Sequence, residues 1–248
     1  MSRLPVLPEI LEGQDIPAVV HLIWVGGAMP GWAAHNVEQW NLAVADDGLE
    51  VRFWDDEAAA GTLTMRFLRD RDIPAVIAAD LLRLELLYLR GGVYMDLDTV
   101  PLRSLGEWVG RRKSWLGQHA HFEDDKTEPF NNATMGFVPG HPLPAAIWQY
   151  GIRAVNRGLK SAFSVAGPVI FRKFVTTGDY DVDVPRGPFE TVRNRHKKVE
   201  VSRGGVFTQA ELREMFPEAV VVHQSMSSWR EPSALDRDRR ELLERTHG

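Results

Sequence analysis

The chain has 248 residues, of which 44% are hydrophobic, 25% charged and 9% aromatic. That is the balance of an ordinary folded globular protein, long enough for one sizeable core, and it excludes collagenous and wholly disordered chains. A formal charge of −5 supplies no general attraction to nucleic acid or anionic lipid, and with no cysteine at all any metal must be held by Asp, Glu, His or other oxygen donors.

Residues 1–15 lack the basic start and apolar run of a secretory signal, so a cytoplasmic location is expected. Residues 16–37 carry no Asp, Glu, Lys or Arg. Pro17, Pro30, Gly26, Gly27, Gly31, His21 and His35 nevertheless argue against a bilayer helix there, and no transmembrane segment is expected. The β-branched, apolar run at 19–25, ending in Gly-Gly, reads as a buried strand. A helix is expected at 30–43, and the period-two alternation of 49–54 reads as a half-buried strand closed by Asp55 and Asp56.

The strongest helical segment is 75–90, where Leu81, Leu82, Leu84, Leu86, Leu87, Tyr88 and Leu89 leave little polar surface, so the helix should be buried on most sides. Gly91-Gly92 offers a left-handed cap and a reversal into a short strand at 93–95. A polar loop at 117–129, a helix at 143–157, an Arg/Lys/His-rich stretch at 186–203 and a strand at 219–222 follow. The charged tail at 231–248 reads as a solvated helix behind one domain at 1–230. Strand and helix alternate through the first hundred residues, which predicts an α/β fold with a Rossmann-like, mostly parallel central sheet flanked by helices. In such sheets ligands bind beyond the carboxyl ends of the strands, where Trp24, Asp96 and Asp98 fall.

Asp96 and Asp98 follow an apolar helix, a Gly-Gly reversal and a strand. Two carboxylates so placed repel each other unless a proton or cation lies between them, and Mn²⁺ or Mg²⁺ is the natural partner. Taken without that setting the pattern means little, since Asp181 and Asp183 repeat it. Asp80 and Arg83, three apart on one helix face, read equally as a structural ion pair or as a carboxylate and guanidinium aimed at polyol hydroxyls. Trp24 is either a core aromatic or, beside Gly26-Gly27, a stacking platform for a flat base. His223 is either a buried imidazole or a ligand completing a metal site with Asp98. No phosphate-binding loop, dinucleotide fingerprint, zincin motif or nucleophile elbow is present in the sequence.

Residues 16–27, Asp80 and Arg83 within 79–83, and Gly91-Gly92 through Asp96-Leu97-Asp98 resemble, in order and spacing, the sugar-binding DXD glycosyltransferases. More narrowly they resemble family 32 enzymes and the catalytic domains of the large clostridial glucosylating toxins. The resemblance implies a glycosyltransferase A-type fold and a retaining transfer from a nucleotide sugar, UDP-glucose before GDP-mannose. It further implies Trp24 stacking on the base, Asp80 and Arg83 on the donor sugar, and Asp96 and Asp98 bridging ribose, sugar and Mn²⁺ or Mg²⁺, Asp98 the more directly. Ser228 and Trp229 resemble the loop that folds over the diphosphate, and 131–136 the acceptor side, with Asn132 carried over. His223 follows related A-type enzymes in which a histidine binds metal. The acceptor that the resemblance implies is a glycan, glycolipid or protein.

Two other classes remain open: a non-catalytic nucleotide-sugar or glycan-binding module of the same fold, and a hydrolase in which water replaces the acceptor. The basic stretch at 186–203 is a solvated loop or a lip for a phosphorylated lipid, a polysaccharide or nucleic acid.

Overall fold

A computed structural model describes residues 4–118, 130–178, 180–185, 187–191 and 207–224. Most of the polar loop at 117–129 and of the basic stretch at 186–203, the charged tail, Ser228 and Trp229 lie outside the described residues.

The first strand, β1 (Val19–Ile23), is buried from Val20 onward and stops one residue before Trp24. α1 (Gly31–Ala45) starts behind Pro30, and β2 (Glu50–Trp54) pairs with β1 in parallel, Val19 opposite Glu50 and Ile23 opposite Trp54. Two short helices, α2 (Asp56–Ala59) and α3 (Leu63–Leu68), lead to α4 (Ala75–Arg90), whose bounds are those the sequence predicts. α4 is buried from Ile77 to Tyr88 except for the partly buried Ala79, and even Glu85 on it is buried. Glu85 is satisfied because its two carboxylate oxygens accept the N–H groups of Leu63 and Thr64, both at 2.7 Å, at the open end of α3.

Gly91 (φ 63°, ψ −158°) ends α4, its N–H donating to the Leu87 carbonyl, and Gly92 (φ 94°) begins β3 (Gly92–Met95). Both glycines have the expected positive φ. Gly91 differs from a left-handed helical cap in ψ, so the chain leaves the helix straight into an extended strand.

β4 (Thr99–Pro101), β5 (Trp115–Gln118) and β6 (Phe130–Phe137) follow, then α5 (Pro142–Asn156), α6 (Ala162–Val165), α7 (Pro168–Thr177), β7 (Phe189–Thr191), α8 (Gln209–Met215) and β8 (Val221–His223). The central sheet has the order β2-β1-β3-β6-β5. β1 is parallel to β2 and β3, whereas β6 is antiparallel to both β3 and β5. Four strands therefore point one way, but the sheet is mixed, because β6 enters between β3 and β5 in reverse. α4 and α5 pack together in the main core, where the Trp148 indole donates to the Thr64 hydroxyl at 2.8 Å.

A second sheet, β4-β8-β7, brings the distant C-terminal region back to the motif. β4 and β8 are antiparallel with Thr99 opposite His223, and β7 is parallel to β8 with Thr191 opposite His223. This register carries His223 to the residue that follows Asp98. Among the described residues no helix is long and apolar enough to cross a membrane.

Candidate active site

A cleft of about 410 Å³ opens where β1 and β3 end, and Trp24, Asp80, Arg83, Asp96, Asp98, Asn132 and His223 all line it. Each of the described residues singled out from the sequence thus meets in one place.

Trp24 continues β1, its N–H donating to the Trp54 carbonyl at 2.9 Å, and its indole donates to the Gly27 carbonyl at 3.1 Å. Trp32 of α1 stands edge-on to it, ring centroids 5.9 Å apart at 84°. The loop itself is tied by Asp56, which accepts from the N–H of Gly26 at 2.9 Å and of Gly27 at 3.3 Å. Gly26 has φ 89°, and a Cβ there would lie 2.5 Å from that of Ala75, so only glycine fits this close approach to α4.

Asp80 and Arg83 are 5% and 4% exposed, and their guanidinium–carboxylate pair lies on the cleft side of α4. Arg83 Nη1 also reaches Asp96 Oδ1 at 3.1 Å and the Asn132 carbonyl at 2.8 Å. The pair is an ion pair and it faces the cleft. The Arg83 Nε is buried with no hydrogen-bond partner among the described residues.

The Tyr94 hydroxyl donates to Asp96 Oδ1 at 2.6 Å, beneath the Arg83 guanidinium, 4.9 Å from the ring centroid. Sequence reasoning passed over Tyr94, although strand alternation puts it on the same side as Asp96 two residues later. Burial pushes the Tyr94 phenol well above its ordinary range, with the Asp96 charge adding to the shift, so it remains a donor. Burial likewise raises the Asp96 carboxyl above the usual carboxylate range; Arg83 and His223 oppose this and the Asp98 charge adds to it.

One carboxylate oxygen from each of Asp96 and Asp98 and one ring nitrogen of His223 lie within 4.8 Å of one another. His223 Nε2 is 3.1 Å from Asp98 Oδ1 and 3.8 Å from Asp96 Oδ2. Two hard carboxylates and one borderline imidazole form a donor set that suits Mn²⁺ or Mg²⁺ with positions left for other oxygens.

On β6, Asn131 and Asn132 both line the cleft; the Asn131 side-chain oxygen accepts from the N–H of Ala133 at 3.0 Å and of Thr134 at 3.2 Å, and the Asn132 carbonyl accepts from Arg83. The rim formed by α6 and α7 is apolar: Phe163, 47% exposed, and Pro168 line it, and α7 packs against β6. Phe163 and Thr191 also escaped the sequence reading, having no motif to mark them.

Residues 30–119 match the family model described as a glycosyltransferase sugar-binding region containing a DXD motif. The chain is similar to an uncharacterized glycosyltransferase, L373, of Acanthamoeba polyphaga mimivirus, at 23% identity over 189 residues, 73% of this chain and 72% of that one. It is also similar to the initiation-specific alpha-1,6-mannosyltransferase of Saccharomyces cerevisiae, at 38% identity over 58 residues, which is 23% of this chain and only 12% of the yeast enzyme. Among solved structures, a glycosyltransferase involved in glycosylating the major capsid of PBCV-1 superposes with a TM-score of 0.50 at 13% identity, over 92% of this chain and 100% of that one. Residues 30–119 thus resemble a DXD-containing glycosyltransferase sugar-binding region, and the chain has the glycosyltransferase A-type fold.

Proposed function

We propose that the protein is a divalent-metal-dependent, retaining glycosyltransferase that moves a hexose from a nucleotide sugar, UDP-glucose before other donors, to an acceptor hydroxyl. The observation that carries this reading is the convergence of Asp96, Asp98 and His223 in the cleft that Trp24, Asp80, Arg83 and Asn132 also line.

Asp96, Asp98 and His223 would hold the cation, which supplies charge neutralisation for a departing diphosphate. The chain's own residues do the rest. Trp24, braced by Trp32 and by its bond to Gly27, offers a flat face to the base. Arg83 is fixed by Asp80, Asp96 and the Asn132 carbonyl before any ligand arrives, so it can stabilise developing negative charge without reorganising. The three carboxylates lining the described cleft are all engaged, Asp80 by Arg83, Asp96 by Tyr94 and Arg83, and Asp98 by His223. Among the described residues no carboxylate stands apart from these pairs as a dedicated nucleophile below the anomeric carbon, and front-face attack by the acceptor hydroxyl is the reading adopted over a double displacement. Asn132 and the α6–α7 rim form the acceptor side.

GDP-mannose is the second donor reading, favoured by the local 38% identity with the yeast mannosyltransferase. Stacking on Trp24 alone does not separate uracil from guanine.

Thermal unfolding with UDP, GDP and UDP-glucose, each with Mn²⁺ and with EDTA, tests the reading. A ligand at 100 times its Kd stabilises by about 2.7 kcal/mol, roughly 5–11 °C for a chain of this size. A shift for one nucleotide, and only with metal, is the expected result; no shift with any of them overturns the donor site. Product analysis with and without candidate acceptors then separates transfer from hydrolysis.

Trp24→Ala is expected to weaken nucleotide binding by about 1–3 kcal/mol, the usual value of base stacking on an aromatic ring. Calorimetric titration checks it, and unchanged affinity would return Trp24 to a packing role.

A further inference from the structure

Asp96 and Asp98 can share a cation only if the backbone between them is held, because they lie in the short turn between the end of β3 at Met95 and the start of β4 at Thr99. The donors to that turn come from four places. The Thr99 N–H and hydroxyl bond back to the Asp96 carbonyl at 3.0 and 2.6 Å, and the Gln224 N–H donates to the Asp98 carbonyl at 2.9 Å. The other two carbonyls are held by side chains of α1: the Asn36 amide donates to Leu97 at 2.7 Å, and the Trp40 indole to Thr99 at 3.2 Å. Asn36 and Trp40 are four apart and so lie on one helix face, below Trp32, which is four residues earlier and braces Trp24. The Leu97 side chain is buried in the same cluster as Trp32 and Trp40, so the motif is seated on α1 by both its side chain and its carbonyls.

We propose that Asn36 and Trp40 are positioning residues of the cation site: they fix the Leu97 and Thr99 carbonyls and thereby set the spacing of the Asp96 and Asp98 carboxylates. Neither side chain lines the cleft or touches a cation ligand's carboxylate, so both act through the backbone. The proposal rests on the metal-dependent reading given above. It assigns to α1 a stripe, Trp32, Asn36 and Trp40, that ties the platform for the base and the seat of the metal to one rigid helix.

The test is Mn²⁺ affinity of the nucleotide-free protein, measured by calorimetry, for wild type, Asn36→Ala, Asn36→Leu and Trp40→Phe. Asn36→Leu and Trp40→Phe keep most of the buried volume and delete the donor. Mutation of groups that orient metal ligands typically costs 10–100-fold in metal affinity, and a loss in that range is expected for each variant, with the thermal midpoint in EDTA close to that of wild type. Mn²⁺ affinity within twofold of wild type in both Asn36 variants overturns the proposal, as does a loss of affinity that merely tracks a lowered midpoint in EDTA. Should Trp40→Phe not fold, the Asn36 variants decide alone. Wild type that binds no Mn²⁺ overturns the metal-dependent reading itself, and this proposal with it, a result distinct from tight binding that the variants leave unchanged.

Discussion

Asp98→Ala is expected to reduce transfer at least a hundredfold, about 3 kcal/mol of transition-state stabilisation, while leaving the fold intact. The side chain it removes is 7% exposed and lies 3.1 Å from His223, yet the Asp98 backbone carbonyl still accepts from Gln224, so β8 keeps its place. In the metal-free protein two effects oppose each other: deleting the carboxylate relieves its repulsion with Asp96, whose carboxyl burial already holds above its usual range with the Asp98 charge adding to it, and it removes the pair with His223. The expected signature is therefore double: a thermal midpoint in EDTA close to that of wild type, and no further rise on adding Mn²⁺. Asp98→Asn, which preserves the shape, should behave the same way. A variant that still gains stability from Mn²⁺ as wild type does would remove Asp98 from the metal site.

The main elements of the first hundred residues were legible because their signals agree with one another, whereas the short α2, α3 and β4 were not read. An unbroken apolar run, a period-two segment and a helix apolar nearly all round each leave one reading, and β1, β2 and α4 fall where those patterns put them. β6 was not legible. Its sequence, with Asn131, Asn132 and Gly136, has little of a central strand's composition, and it is nevertheless buried along its whole length. Asn131 makes this tolerable by satisfying two neighbouring N–H groups with its own side chain, and Gly136 by leaving room for the Trp115 ring, which a Cβ would approach to 2.2 Å. Because β6 was missed, so was the reversal that makes the sheet mixed.

The site divides in the same way. Trp24, Asp80, Arg83, Asp96 and Asp98 lie within short segments whose spacing can be read, whereas the approach of His223 to Asp98 depends on β8 pairing with β4 in one register. Nothing local to His223 reports that pairing. Asp56 illustrates a subtler loss. In sequence it closes a strand, and in the fold it binds the loop that presents Trp24. The contact joins two segments whose distance is set by β1 and β2 lying side by side.

That same pairing of β1 and β2 gives the protein a stability that depends on pH. His21 on β1 is 1% exposed, accepts from the Trp54 indole of β2 at Nδ1, 3.1 Å, and therefore carries its proton on Nε2, which donates to the Gly91 carbonyl at 3.0 Å. The neutral ring satisfies both bonds; a second proton would put a charge in the core and remove the acceptor that Trp54 needs. Burial accordingly lowers its pKa from 6.5 to about 4, opposed by the bond to Gly91. Because the unfolded chain then binds a proton more readily than the folded one, stability is complete above pH 6.5 and declines as the pH falls from there toward 4, by about 1.4 kcal/mol per unit and about 3 kcal/mol in all. His141, also lowered by burial, acts in the same direction. Urea unfolding at a series of pH values between 7.5 and 4 should show this slope in wild type. In His21→Gln, which offers a donor and an acceptor but does not titrate in this range, the slope should shrink to the part that His141 and the carboxylates supply. Parallel profiles for the two proteins would mean that His21 does not carry the acid sensitivity of the β1–β2–α4 junction.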